Sequence, residues 1–274
     1  GGFRFFVWDI EQMVQLRERG SVCGPCSHHP TVASCGTRRC GTSVDTMGAA
    51  GLHGWLMASP EYRLAFADRI ARHLLSGGAL APEVAAARYR ALADAVERPI
   101  VGESARWGDV AFGQRTRNEN WYFVAPFVDP DRVFTLDDHW RPERDRLLRE
   151  FFPARTSRVL QQFCDAGLYP GVAALRFEPT GGGAALGAPV TIAPVDEGCV
   201  GTVREGTIHY TLDGSDPREP FSGAPDAPWS GVPARTALAY AGPLRPARYA
   251  SIRARLRAPD GRWGPEAQAT FGVP

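Results

Sequence analysis

Apolar residues recur at every fourth position between residues 60 and 75, which predicts an amphipathic helix with one buried face. That face consists of Tyr62, Phe66, Ile70 and Leu74. Ser59 stands before a proline and a glutamate, an arrangement that favours a helix start, and Gly77 and Gly78 favour its end. Similar signals predict further helices at about residues 82–96, 142–151 and 156–166.

Beyond about residue 172 the apolar period changes from four to two. Ile208, Tyr210 and Leu212 alternate with polar residues, and the stretch around residues 252–257 does the same. Residues 181–190 are rich in glycine, as linkers often are. The pattern predicts an α+β protein of two domains: a mainly helical one over residues 1–175 and a small antiparallel β-sandwich over 176–274.

Two acids follow a strongly apolar stretch at the start of the chain. "FRFFVWDIE" at residues 3–11 fits a buried strand, and in an extended chain Asp9 and Glu11 point to the same side. Two such carboxylates could bind Mg²⁺ or Ca²⁺, or divide acid and base roles. The alternative is a strand that leaves the core with both acids solvated. Asp9 and Glu11 are the candidate metal ligands.

Four blocks of the first domain resemble the CotH (spore coat protein H) kinase-like family. They are the strand at 3–11 and the segments at 59–89, 97–110 and 137–170. The resemblance implies the truncated C-lobe of an atypical kinase fold, which transfers the γ-phosphoryl group of ATP to protein hydroxyls with Mg²⁺. Asp9 matches the family's metal-binding aspartate, and Glu11 is a second ligand or an orienting group.

The family's nucleotide-binding lysine and catalytic-loop aspartate lie upstream of that strand, and the chain contains no lysine. The expectation is therefore a C-terminal fragment with no catalytic or cofactor-binding residue of its own, inactive by itself. ATP and Mg²⁺ would bind only in the intact parent, whose substrate would be a protein of unknown identity.

The second domain resembles the chitobiase/β-hexosaminidase C-terminal module. The similarity runs through "TIHYTLDGSDPR" at 207–218 and through residues 234–244 and 249–271. It implies an immunoglobulin-like sandwich without catalytic residues, of the kind found on exported bacterial proteins. A secreted or cell-surface location follows, with possible contact to glycan or the cell surface through 176–274.

Several residues of these two regions have a functional and a structural interpretation. Trp229 and Trp263 could stack on sugars or pack in a core. Asp213 and Asp216 could be metal ligands, but their turn-rich surroundings favour turn formation. Glu103, Arg106 and Asp109 form a further set of acids and an arginine. The favoured interpretation of this set is an ion-pair network at a helix end. The alternative is a contact with a substrate or a regulator.

A cysteine-rich loop at residues 17–46 is unlike its surroundings. Its cysteines are Cys23, Cys26, Cys35 and Cys40, with His28 and His29 between the pairs. "CGPC" matches a thioredoxin motif but lacks the strand–helix context of one. Zinc binding, two disulfides, a lineage-specific insertion and a frameshifted segment all remain open.

Composition excludes several classes of function. A net charge of +1 offers no electrostatic case for nucleic acid, and no apolar run reaches the ~18 residues that a membrane span needs. The absence of lysine excludes a Schiff-base lysine and a P-loop lysine within these 274 residues. Besides the kinase fragment, the alternatives are a non-catalytic secreted protein that binds a surface or a glycan and, more weakly, a glycosidase.

Overall fold

A computed structural model describes residues 48–107, 135–180, 185–220 and 231–272. These residues form helices and two antiparallel sheets, which confirms the α+β class. They divide into two compact units. The helical unit contains residues 82–107 and 135–156, and the mixed unit contains the other described residues, so the boundary falls inside one helix.

The mixed unit begins with two helices, α1 (Gly48–Leu56) and α2 (Pro60–Leu74). The predicted start of α2 is confirmed, since the Ser59 hydroxyl accepts a hydrogen bond from the Tyr62 amide at 3.4 Å. The helix ends where Ser76 and Gly77 take positive φ angles of 50° and 75°. Its buried face consists of Leu64, Ala67, Ile70, Ala71 and Leu74.

The helical unit pairs α3 (Pro82–Trp107) with a helical run from Leu136 to the first turn of α5. Glu97 of α3 binds Arg141 and accepts a hydrogen bond from Arg144 at 2.8 Å. Tyr89 and Phe152 stack with ring centroids 5.1 Å apart. Hydrogen bonds and charge from these arginines keep the Glu97 pKa below its usual value, the Arg141 hydrogen bond contributing most.

The run after residue 135 was predicted as two separate helices, and this was wrong. It continues through a π-helical turn (Leu136–Trp140), α4 (Arg141–Arg146), a second π-helical turn (Leu147–Phe151) and α5 (Phe152–Asp165). Each π-helical turn ends two residues before a proline, Pro142 or Pro153. A wider turn accommodates the ring and the missing N–H of proline, so the helix need not stop.

Six short strands complete the mixed unit: β1 (Leu175–Glu178), β2 (Thr191–Pro194), β3 (Thr207–Thr211), β4 (Leu238–Ala239), β5 (Ala250–Arg257) and β6 (Ala267–Phe271). β1 pairs with β2, and the other four form a sheet in the order β4-β3-β5-β6. The side chains of both sheets share one apolar core, in which the rings of Phe177 and Phe271 meet edge to face at 6.1 Å.

The apolar residues that alternate in β5, Ile252, Ala254 and Leu256, are buried as predicted, but Arg255 between them is buried as well. The predicted alternation fails at the end of β3. Leu212 lies after the strand and is 48% exposed, whereas Thr211 is buried and donates a hydrogen bond to the Ser215 carbonyl at 2.6 Å.

A second core joins α2, the end of α5 and the chain around β1 and β2. Its buried members include Ile70, Leu74, Leu160, Leu168 and Val195. Helices from the first predicted domain thus pack in the same unit as the strands, and β1 itself spans residues 175 and 176. Separate folding of residues 180–274 stays a prediction. Within the described ranges, every helix is too short or too polar to cross a membrane.

Candidate ligand-binding cleft

The mixed unit contains an open cleft of about 740 Å³. One wall of the cleft is α2, which contributes Asp68, Arg69 and Arg72. The second wall is the chain at residues 174–177, and β5 and β6 form the floor. The volume lies within the range of about 300–1,000 Å³ that small-molecule sites occupy. This cleft is therefore the candidate site.

A buried guanidinium group organises the base of the cleft. The Arg255 side chain is 2% exposed, and it makes two hydrogen bonds to Asp68, at 2.7 and 2.9 Å, and two to Asp216, both at 2.8 Å. A fifth hydrogen bond, to the Gly264 carbonyl, is 3.2 Å long. All donor directions of the group are thus used, which holds it and both carboxylates in one geometry.

Backbone amides of other residues hold the two carboxylates that bind Arg255. Asp213 and Asp216 accept hydrogen bonds from the amides of Ser215 and Arg218, at 2.9 and 3.0 Å, so the "DGSDP" turn aims Asp216 at β5. Asp68 projects from α2 and also accepts from the Glu266 amide at 2.8 Å. α2, the turn at residues 213–217 and the chain that enters β6 therefore meet at Arg255 of β5.

The electrostatics follow from this arrangement. Burial raises the pKa of Asp216, but hydrogen bonds and charge from Arg255 outweigh burial, and the pKa lies below its usual value. Burial disfavours the charged form of Arg255, but its aspartate partners outweigh this effect, and its pKa is raised. Both shifts favour the ionised forms of Arg255 and Asp216.

Glu266 is the least stabilised carboxylate of the cleft. Its carboxylate accepts from Arg253 at 3.2 Å and lies 3.6 Å from Arg255. Burial raises its pKa, and although the charge of Arg255 opposes this, the pKa stays above its usual value. The Nε atom of Arg253 is buried and has no hydrogen-bond partner among the described residues.

The lining has an excess of positive charge. Five arginines and three carboxylates line the cleft, which leaves two positive charges uncompensated. Arg69, Arg72 and Arg176 are exposed, and none of them forms an ion pair within the described part of the chain. Because guanidinium groups match carboxylates and phosphates in geometry, the cleft suits an anionic ligand.

Some predicted site residues lie outside the described ranges: Asp9, Glu11, Cys23, Cys26, Cys35, Cys40, His28, His29, Asp109 and Trp229. Glu103 and Arg106 are exposed near the end of α3, in the helical unit, and neither of them lines the cleft. Across the ranges that the structure describes, no group of three or more metal-ligating side chains occurs.

The structure decides between the alternatives for the remaining predicted residues. Trp263 is 0% exposed and donates a hydrogen bond to the Gly231 carbonyl at 3.1 Å, so it packs in the core and is not available to a sugar. The turn role of Asp213 is confirmed. Asp216 forms the turn too, and it also binds Arg255, a role that the sequence did not indicate.

A disulfide between Cys164 and Cys199 was not anticipated either. It closes a loop of 35 residues and connects α5 to the chain after β2. The only sequence signal was that these two cysteines stand apart from the cysteine-rich loop. The sequence did not indicate that Arg255 is buried, because its position in an alternating strand predicted a solvent-facing side chain.

Comparison with protein-family models, with curated proteins and with solved structures gives no match.

Proposed function

We propose that the mixed unit is a ligand-binding module of an exported protein and that the cleft is its binding site. The observation that carries this is the cleft lining, where unpaired arginines stand beside an ion-pair network already fixed in the folded chain. The network fixes Arg255, Asp68 and Asp216, whereas Arg69, Arg72 and Arg176 remain available to pair with an anionic ligand.

The Cys164–Cys199 disulfide supports export. Disulfides form and persist mainly in oxidising compartments, and they are rare in the cytosol. This one holds the second apolar core together, because both sulfur-bearing residues pack against it. A binding module that works outside the cell gains from such a covalent constraint.

A binding survey tests the proposal. The purified chain is titrated with three probes: a glutamate-rich peptide, a galacturonic acid trimer and a neutral chitotriose. At least one acidic probe is expected to bind, and the Arg72→Ala/Arg176→Ala variant is expected to bind it more weakly. Arg248→Ala is the matched control, because Arg248 is exposed in the same unit but does not line the cleft.

Two results would refute the proposed function. One is the failure of all three probes to bind at millimolar concentration. The other is binding that the cleft variant and the control variant reduce equally, because the ligand would then lie elsewhere on the surface.

The resemblance to CotH-like kinases leads to a second proposal, which concerns the parent protein. We propose that the chain is the C-terminal part of such a kinase and that residues 1–175 belong to its C-lobe. Support comes from the segments that carry the resemblance at 59–89, 97–110 and 137–170, all of which are largely helical. Phosphoryl transfer to a protein hydroxyl would take place with residues upstream of Gly1.

The kinase proposal is tested in the full-length parent. Asp9→Asn should nearly abolish ATP-dependent phosphorylation, because a lost metal ligand removes charge neutralisation at the phosphates. Glu11→Gln should weaken it, with partial rescue by high Mg²⁺. Near-normal activity of a folded Asp9→Asn protein would remove the support for Asp9 as a metal ligand.

A further inference from the structure

The outer edge of β6 carries free backbone groups that face the cleft. β6 is the last strand of its sheet and pairs with β5 on one side only. The Glu266 amide points away from β5, because it donates to Asp68. In a strand, the N–H and C=O of every second residue point to the same side, so Gln268 and Thr270 also direct theirs outward.

These four backbone groups are open to a ligand. Gln268 and Thr270 both line the cleft, and their backbone N–H and C=O groups have no hydrogen-bond partner among the residues that the structure describes. An unpaired strand edge is a template on which another chain can add as a strand.

Proteins usually protect such an edge, and β6 lacks two of the usual protections, a charged side chain and a proline. Its sequence, "AQATF" at residues 267–271, contains no charge and no proline. The charges nearby stand on neighbouring elements instead: Arg69 and Arg72 on α2 and Arg176 on β1. Because these arginines lie on α2 and β1 and not on β6, they do not block its edge, and their positive charge attracts a negatively charged chain.

We propose that the cleft binds an extended acidic peptide segment of another protein, which adds as a strand to the outer edge of β6. This inference rests on the proposed function and names the ligand class of the same site. Backbone hydrogen bonds to Gln268 and Thr270 would supply affinity, and carboxylates of the peptide would pair with Arg69, Arg72 and Arg176. Strand addition favours a peptide over an acidic sugar, because a sugar has no alternating N–H and C=O groups to match the edge.

Modified peptides test the backbone part of the inference. The probe is a heptapeptide of alternating glutamate and valine, and its binding is measured by fluorescence anisotropy. Methylating the backbone nitrogens of alternate residues removes N–H donors from one edge of the peptide only. One methylated series should lose binding and the other should retain it. Equal affinity of both series would overturn strand addition.

Two substitutions in β6 supply a matched pair on the protein side. Gln268→Pro removes only an outward N–H, so the hydrogen bonds to β5 remain, and edge strands tolerate such prolines. It should lose most of the peptide affinity, whereas Gln268→Ala should retain it. A thermal melt confirms that both variants fold, and if Gln268→Pro does not fold, the methylated peptides decide the question.

Charge is tested separately. Replacing glutamate by glutamine in the peptide, or making the Arg72→Ala/Arg176→Ala variant, should weaken binding by about fivefold to tenfold at low salt. If the galacturonic acid trimer binds in the cleft and the acidic peptide does not, the peptide inference is wrong while the proposed function stands. If no probe binds, both are wrong.

Discussion

Replacing Arg255 by methionine should destabilise the mixed unit more than any other single arginine substitution in the cleft. The guanidinium group is buried and bonded to Asp68 and Asp216 by four hydrogen bonds, while these carboxylates are 23% and 32% exposed. Methionine fills most of the space but leaves both carboxylates, with Glu266 beside them, without their cation.

The expected magnitude follows from the burial of the pair. Removing one partner of a buried ion pair costs about 3–5 kcal/mol, because the remaining charge stays desolvated. The aspartates are partly exposed and water can reach them after the substitution, so the lower end of this range is expected. An exposed pair contributes only about 0–1 kcal/mol. Arg253→Met is the matched control, since Arg253 is 34% exposed, against 2% for Arg255, and makes one contact with Glu266 at 3.2 Å, so its loss should lie between the two ranges.

Native-state hydrogen exchange of the β5 amides is the appropriate assay. The chain has two compact units, so one melting temperature does not report the stability of either. The slowest amides of a central strand exchange only when the whole unit opens, and their rate gives its free energy of opening. Adding Asp68→Asn and Asp216→Asn to Arg255→Met should restore part of the loss, since no buried charge then remains unpaired.

A loss below about 1 kcal/mol for Arg255→Met would refute the reasoning, because the pair would then behave like an exposed one. Equal losses for Arg255→Met and Arg253→Met would refute it as well, since burial would not be the deciding factor.

Three further predictions follow from the mixed unit. The Cys164→Ala/Cys199→Ala variant should lose about 4 kcal/mol of the opening free energy of the mixed unit, measured by hydrogen exchange of the β5 amides, because a 35-residue loop is released in the unfolded chain; unchanged exchange of these amides would contradict this. The raised pKa of Glu266 means that its contribution to stability is greatest below its unfolded pKa and is lost as pH rises through the folded pKa. Glu266→Gln should therefore gain stability relative to the wild type as pH rises through the raised pKa of Glu266, and a difference that stays constant with pH would count against it. Gly206→Ala should strongly destabilise the mixed unit, because φ is 141° and a Cβ would lie 2.1 Å from the Arg257 carbonyl oxygen. Gly242→Ala meets nothing within 4 Å and should not destabilise it. Equal hydrogen exchange of the β5 amides in the two variants would disprove the close approach.

Local features of the fold were predictable from the sequence. The start of α2 depends on Ser59 and the proline after it, and its end depends on glycines a few residues beyond, so all the signals lie within one short stretch. β5 was found because its apolar residues alternate without interruption. The join between α4 and α5 was missed, because proline usually ends a helix and the sequence does not show that a π-helical turn accommodates it.

The candidate site was not predictable from the sequence. Arg255 finds its partners 39 and 187 residues away, so no local pattern connects them. Alternation in β5 placed Arg255 on the solvent side, but α2 covers that side and brings Asp68 to it. Burial of a charged residue depended on tertiary packing, which a single sequence does not encode in any short motif.

Hydrogen exchange of the whole chain, with and without the acidic heptapeptide, tests the central claim most directly. The account predicts slower exchange at residues 266–270 and 174–177, which line the cleft, and no change in α3, which belongs to the other unit. Protection confined to residues outside the cleft, or no protection at a saturating peptide concentration, would contradict it.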